Sequence, residues 1–209
     1  MDTLYTHPPA QRAVSCLDQM GPVAAKSSPG QPLGGAEPAA APPAPAPRAT
    51  QEIDSGRRGK GYIFGAFRPA TGAALPQDSL GRTLHNWVDF LGHVEAWGPA
   101  EIERLYAIGD NWNVHRATDV WLFCLQHPRW EFVLQPKYAA YLNLIEPWWT
   151  TLRSLALKGR RFETWDAVVK AIEEATGYWN NHRHPYRWGR RRRHRPRRKA
   201  GIAALPKAA

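Results

Sequence analysis

YAIGDNWNVHRA, residues 106–117, and QPKYAAYLNLIEPWW, residues 135–149, decide how this chain is read. In the first, Arg104–Gly109 (RLYAIG) has the apolar and aromatic content of a strand and delivers Asp110 at its end. In the second, Glu146 stands inside the apolar stretch Tyr141–Trp149, and the chain from Leu142 onward reads as helix. A carboxylate after a strand and another on a helix raise the question of what else the fold brings to them.

Working upstream, Ala13–Leu17 (AVSCL) is a short apolar run that reads as a strand, ending at Asp18 and then at the breaker pair Gly21-Pro22. Gly61–Arg68 (GYIFGAFR) reads as a second strand, entered through GRRGKG at 56–61 and closed by Pro69 and Gly72. Between Thr83 and Trp97, Leu84, Trp87, Val88, Leu91, Val94 and Trp97 recur at spacings of three and four, the pattern of an amphipathic helix stopped by Gly98-Pro99. Downstream, Thr118–Gln126 suits a helix capped by Thr118, Trp130–Leu134 a short strand, and Thr164–Tyr178 a helix starting at a threonine cap. This alternation predicts a mixed α/β order around a sheet.

The stretch Gly30–Thr50 is mostly Pro, Ala and Gly, a composition that favours extended chain over a packed core. The organisation read from the sequence is therefore a domain start at 1–29, a Pro/Ala-rich loop at 30–50, the remainder of the domain at 51–182 and a basic arm at 183–209. At 209 residues the chain accommodates one domain of about 150 residues with segments outside it.

Three carboxylates, Asp18, Asp110 and Glu146, stand where local chemistry alone does not demand them. Singly, an Asp at a strand end is more often a turn or helix cap than a ligand, and composition does not select these three from the other acids. Together they would repel one another unless cations intervened, and hard oxygen donors select Mg²⁺ or Mn²⁺. Two such ions about 3.5–4 Å apart serve phosphoryl transfer, one activating the attacking oxygen and the other stabilising the leaving oxygen.

The formal net charge is +10, and removing the eight basic residues of RRRRHRPRRK leaves +2. Those eight, Arg190, Arg191, Arg192, Arg193, Arg195, Arg197, Arg198 and Lys199, form an arm suited to DNA phosphates, with Trp179, Tyr186 and Trp188 nearby as flat surfaces. Arg153, Lys158, Arg160 and Arg161 read either as flanking the same substrate or as a solvated helix face. Trp148 and Trp149 follow Glu146-Pro147, and at least one of them reads as a core anchor. Cys16 and Cys124 are too far apart in sequence for a Cys-x-x-Cys pattern, which argues against a disulfide framework or a thiolate zinc site. No run approaches the roughly 18 apolar residues of a membrane span, and Met1–Ala10 lacks the features of a secretory signal.

The segments CLDQMGP (16–22), YAIGDNWNVHRA and QPKYAAYLNLIEPWW resemble the DDE transposases of the mariner superfamily, in its bacterial insertion-sequence branch. KGRRFETW (158–165) and WNNHRHPYRWGRRRRHRP (179–196) resemble the same branch. The 35 residues between Asp110 and Glu146 match that superfamily's gap. The resemblance implies a ribonuclease H-like fold with a five-stranded sheet flanked by helices. It makes Asp18, Asp110 and Glu146 the ligands of two Mg²⁺ or Mn²⁺ ions, with Asn111 and His115 orienting Asp110 or touching DNA. Asp54 in Glu-Ile-Asp-Ser-Gly is the rival first ligand and reads better as a turn. The implied chemistry is hydrolytic nicking of transposon ends, then attack of the freed 3′-hydroxyl on target DNA, without a covalent enzyme intermediate.

The resemblance further implies a cytoplasmic, nucleoid-associated protein acting on transposon-end and target DNA, as a homodimer in synapsis. Three features depart from the family pattern. The residue after the first Asp is Gln19 where relatives have Glu, the Pro/Ala-rich stretch falls between the first two strands, and the 17 residues ahead of Asp18 leave no room for helix-turn-helix modules. The expectation is accordingly an N-terminally truncated catalytic domain, read as a fragment, as the second product of a split reading frame whose upstream polypeptide carries the DNA-reading modules, or as the remnant of an insertion sequence. The alternative is a catalytically inactive DNA-binding remnant.

Overall fold

A computed structural model describes residues 5, 9–28, 58–136 and 142–186. Five strands pair in the order β3-β2-β1-β4-β5. They are β1 (Arg12–Ala24), β2 (Lys60–Arg68), β3 (Ala73–Ser79), β4 (Arg104–Gly109) and β5 (Trp130–Leu134). The first three run antiparallel as a meander, and β4 and β5 continue parallel to β1. Parallel neighbours need crossovers, and two helices supply them: α1 (Leu84–Trp97) before β4, and α2 (Thr118–Gln126) before β5. Two more, α3 (Ile145–Ala156) and α4 (Trp165–Asn181), follow the last strand.

Alternation along the strands divides the core into two layers. On one face Val14, Cys16 and Met20 of β1, Ile63 and Phe67 of β2 and Ile108 of β4 pack with Trp148, Trp149 and Leu152 of α3 and Val168 and Ile172 of α4. On the other, Leu17, Phe64, Ala66 and Ala107 pack with Trp87, Phe90 and Val94 of α1 and Val120 and Phe123 of α2. The sheet is thus covered by helices on both sides, and both Trp148 and Trp149 are core residues, at 0% and 2% exposure. Trp179 is also core rather than a surface beside the basic arm: it is buried, and its Nε1–H donates to the Gly72 carbonyl at 2.7 Å.

The structure departs from the sequence reading at further points, each for an identifiable reason. β1 does not stop at Asp18. It continues through Gly21-Pro22, which form a cis peptide where the β1–β2 register shifts between Met20 and Val23, so the pair makes an irregularity inside a long strand. β3 went unread because Pro76 and three polar residues interrupt its apolar pattern. As an edge strand it tolerates a residue without an N–H to donate. Thr83 and Thr164 do cap α1 and α4, accepting from the Asn86 and Ala167 backbone N–H groups. Thr118 is not a cap, because α2 has Ala117 at that position and no side-chain cap bond. The Pro/Ala-rich loop, Asp54 and the arm from Arg190 to Lys199 lie outside the described residues.

Glu95 in the last turn of α1 fastens that helix to the start of β5. Its Oε2 accepts from Arg129 Nε at 2.9 Å and from Trp130 Nε1 at 2.6 Å, and its backbone carbonyl accepts a second Arg129 nitrogen at 2.9 Å. Burial alone would raise this carboxyl. The bonds from Trp130 and Arg129, with the charges of Arg129 and His127, outweigh burial and hold it below the usual range. A carboxyl held low stabilises the fold above its unfolded pKa, and that contribution is lost as pH falls through the folded value. Glu95→Ala should therefore lower unfolding free energy at neutral pH by about 1–3 kcal/mol. In urea titrations the gap to wild type should narrow below the carboxylate range.

Candidate active site

Parallel pairing of β1 with β4 sets Cys16 beside Ile108. Two residues further on, Asp18 lies on β1 with the parity of Cys16 and Met20, facing the α3 layer, and Asp110 is the first residue after β4 at the same end of the sheet. Glu146 sits in the first turn of α3, on the helix that covers this face. The three carboxylates singled out from the sequence therefore lie at one end of the sheet, where Glu146 hydrogen-bonds Asp18 and the charge of Asp110 reaches it.

Asp18 is the buried member, at 8% exposure. Burial pushes its carboxyl up to about 7, opposed by the Gln19 N–H it accepts at 2.7 Å and reinforced by the nearby charges of Glu146 and Asp110. The Glu146 carboxyl is within hydrogen-bonding reach and adds to the rise. Asp110 lies in a different environment, with its side chain 45% exposed. A hydrogen bond from His115, aided by the Trp112 N–H at 2.9 Å, holds its carboxyl below the usual range against partial burial. Asp110 Oδ1 is engaged with these donors. Among the described residues, no group of three or more His, Cys, Asp or Glu side chains stands close enough together to hold an ion.

His115 belongs to a 3₁₀ turn, Asn113–Arg116, and reaches Asp110 from the α1 side of the sheet. Its ring lies 4.5 Å from the Trp87 ring and against Gly109, where an added Cβ would stand 3.2 Å from Nδ1. Nδ1 is 2.9 Å from the Asp110 carbonyl and 3.1 Å from its carboxylate, both acceptors, so Nδ1 carries the proton. Asn111 donates through Nδ2 to the Gln135 carbonyl, tying the end of β4 to the end of β5, and accepts from Arg116 at 2.6 Å. Both residues flanking Asp110 in the sequence reading thus brace the loop that carries it.

Three contributors were not singled out from the sequence. Asn143, buried within the Leu-Asn-x-Ile-Glu-Pro motif, donates to the Leu17 carbonyl at 3.2 Å, and its own carbonyl accepts the Glu146 N–H at 3.1 Å. It joins the start of α3 to the strand residue preceding Asp18, a pairing its place in the motif hinted at. Arg82 lies 4.6 Å from the Trp112 ring centroid and its charge acts on Asp110. No local signal marks it. Gly65 pairs directly with Asp18 across β1 and β2, and a Cβ there would overlap the Trp149 ring and stand 3.2 Å from Ile145 Cδ1. Its bare backbone lets α3 descend onto the sheet.

Gln19 pairs with Phe64, whose ring belongs to the α1 layer, so its side chain points to the face opposite Asp18. The Gln19 side chain therefore does not stand beside the carboxylates. Gln19 Oε1 is buried without a hydrogen-bond partner among the described residues.

The family described as DDE superfamily endonuclease matches residues 36–169, more than half of the chain. The chain belongs to that family. The matched span contains Asp110 and Glu146 but not Asp18. No curated protein matches. Among solved structures, the DDE superfamily chain is similar to the pre-cleavage Mos1 transpososome, with TM-score 0.56, 14% identity, and coverage of 82% of this chain and 52% of that one. It is similar also to the Mos1 strand transfer complex, with TM-score 0.53, 13% identity, and coverage of 85% and 53%. A third is the Mos1 transposase paired-end complex with left transposon end, at TM-score 0.50, 16% identity, and coverage of 80% and 48%. The chain spans about half the length of these relatives. The likeness shows the fold: a ribonuclease H-like mixed sheet of five strands flanked by helices. No helix among the described residues is long and apolar enough to cross a membrane.

Because Gly65 lets α3 approach Asp18, Gly65→Ala should cost about 1–3 kcal/mol through overpacking against Trp149. Trp149→Phe in the same chain should recover part of that loss. Denaturant unfolding of the two single variants and the double variant checks this, and strictly additive losses would refute the contact.

Proposed function

We propose that this domain cleaves and joins DNA phosphodiesters as a DDE transposase, with Asp18, Asp110 and Glu146 holding two divalent cations. The observation that carries the reading is Asp18, buried at the end of the sheet beside Glu146 and Asp110, with its carboxyl raised first by burial and further by the charges of those two. The donor set fits Mg²⁺ or Mn²⁺: all donors are hard carboxylate oxygens, and crowding of like charge at a buried carboxyl is relieved by a cation. Bound there, such ions would supply activation of a water or 3′-hydroxyl and charge stabilisation at the leaving oxygen. The DNxxxH and LNxIEPxW motifs support assignment to the bacterial insertion-sequence branch of the mariner superfamily.

Within the chain, Asp18 provides the fixed, desolvated carboxylate on the central strand. Asp110 provides one on a braced loop, with Nδ1–H of His115 and the Trp112 N–H setting its orientation. Glu146 comes from the first helical turn, where the positive end of the α3 dipole favours its charge, and Asn143 ties that turn to β1. His115 and Asn111 act through Asp110 and its loop. The partners of the reading are transposon-end and target DNA, with two copies of the chain in synapsis and the arm from Arg190 to Lys199 contacting phosphates.

The test incubates the full chain with Mg²⁺ or Mn²⁺, DNA bearing a free 3′-hydroxyl, and a target duplex. Joined and nicked products are expected, and Asp110→Ala should reduce both to below about one-hundredth of wild type. His115→Ala should lower activity and cation affinity together by about 10–100-fold. Products that persist in Asp110→Ala would sink the assignment. Binding of the metal itself reads out by thermal shift. A buried carboxyl held above its unfolded pKa stabilises the fold at low pH, and that contribution is lost as pH rises toward about 7. Mg²⁺ should therefore raise the melting temperature more at pH 8 than at pH 5.5, and Asp18→Asn should abolish the difference.

A further inference from the structure

Three stretches far apart in sequence are hydrogen-bonded into one junction at the far end of α3. The Ser28 N–H donates to the Arg160 carbonyl, the Gly159 N–H to the Ser28 carbonyl and the Phe162 N–H to the Lys26 carbonyl, and Ser27 forms an antiparallel bridge with Arg161. On the other side the Ala25 N–H donates to the Gly59 carbonyl, and Ala24 pairs with Lys60. The junction gathers six cations, Lys26, Arg58, Lys60, Lys158, Arg160 and Arg161. Among the described residues, the acids beside it are Glu163, bonded to both Arg58 and Arg161, and Asp166 at the start of α4. Lys26, Lys60, Lys158 and Arg160 are exposed.

Two chain paths measure how far this patch stands from the carboxylates. Along β1, Asp18 to Ala24 spans six residues at about 3.3 Å each, roughly 20 Å. Along α3, Glu146 to Ala156 spans ten residues at about 1.5 Å each, roughly 15 Å, before the turn that carries Lys158 and Arg160. On one strand of B-DNA, phosphates recur about every 3.4 Å along the axis, so the separation corresponds to about five nucleotides.

We propose that this three-stretch junction is a phosphate-backbone site that grips duplex DNA about five nucleotides from the phosphodiester held at Asp18, Asp110 and Glu146. The assignment of DNA as its partner rests on the transposase reading, whereas the patch itself rests on the junction's hydrogen bonds. The cations are offered by backbone segments that pin one another, so they present a fixed array. Arg58 and Arg161 are anchored through Glu163 and shape the site, and Arg160, held over the Phe162 ring with Nη1 donating to the Ala156 carbonyl at 3.4 Å, joins Lys26, Lys60 and Lys158 as the side chains that meet phosphates.

The test uses the full chain carrying Lys26→Gln, Lys60→Gln, Lys158→Gln and Arg160→Gln together, beside a charge-preserving chain carrying Lys26→Arg, Lys60→Arg, Lys158→Arg and Arg160→Lys. Duplex affinity is measured by fluorescence anisotropy across a salt series. If all four side chains meet phosphates, the glutamine variant should lose about 3–4 units from the slope of log K against log salt, at about 0.9 per contact. The charge-preserving variant should keep the wild-type slope, and both should keep the wild-type melting temperature. Since every chain retains the basic arm, the difference isolates the junction. A slope unchanged in the glutamine variant overturns the proposal, as does an equal loss in the charge-preserving one. Repeating the comparison in an Asp110→Ala background separates the two readings. A slope change without any joining activity in wild type sinks the transposase reading alone, and joining without a slope change sinks the junction alone.

Discussion

Parallel pairing of β1 with β4 is the constraint on which the rest of the site depends. The Cys16 to Ile108 register sets Asp18 beside the end of β4, where Asp110 follows, and since the pleat repeats every two residues a slip of one in β1 would turn Asp18 into the opposite layer. That register is strongly specified because both faces are buried. Cys16 and Ile108 are fully buried on the α3 side, and Leu17 and Ala107 on the α1 side. Core packing and site geometry are thus one requirement, and the aromatic layers that hold the sheet in register also hold the carboxylates together.

The approach of α3 adds the third carboxylate. Its N-terminal turn is seated by Asn143 on the Leu17 carbonyl and by Trp149 on the bare backbone of Gly65, while Trp148 stacks near Phe67 with centroids 6.1 Å apart. Large rigid side chains set the height of the helix, and one missing methyl lets that height be small. The two aspartates then differ by environment. Asp18, desolvated and crowded, is pushed up toward neutrality, whereas Asp110, partly exposed and hydrogen-bonded by His115, is held down. Such a split places the two aspartates in opposite electrostatic settings at one end of the sheet.

The same helix separates two electrostatic regions. Its first turn carries Glu146 toward the acidic site, and its end leads into the basic junction around Lys158 and Arg160. A polyanion drawn to the junction would lie about one α3 length from the carboxylates, and that distance is set by helix geometry rather than by any flexible segment.

Most secondary structure was legible by itself, because period and capping are local properties: β4 and β5 fall where their apolar runs stand, and Thr83 and Thr164 start their helices. Asp110, Asn111, His115 and Glu146 were singled out through the resemblance of their motifs to a known family, because no local property of an isolated acid marks it. Where tertiary contacts override local signals the sequence was misleading. Gly21-Pro22 is carried inside β1 because β2 pairs on both sides of the irregularity, and β3 survives Pro76 because one of its edges is free. The amino-acid order by itself determined which segments form strands and helices and which acids belong to recognisable motifs. Only the tertiary structure decided that Gln19 faces away from Asp18, that Gly65 admits Trp149, and that cations near positions 26, 60 and 160 form one patch, because each of these depends on pairing between residues dozens of positions apart.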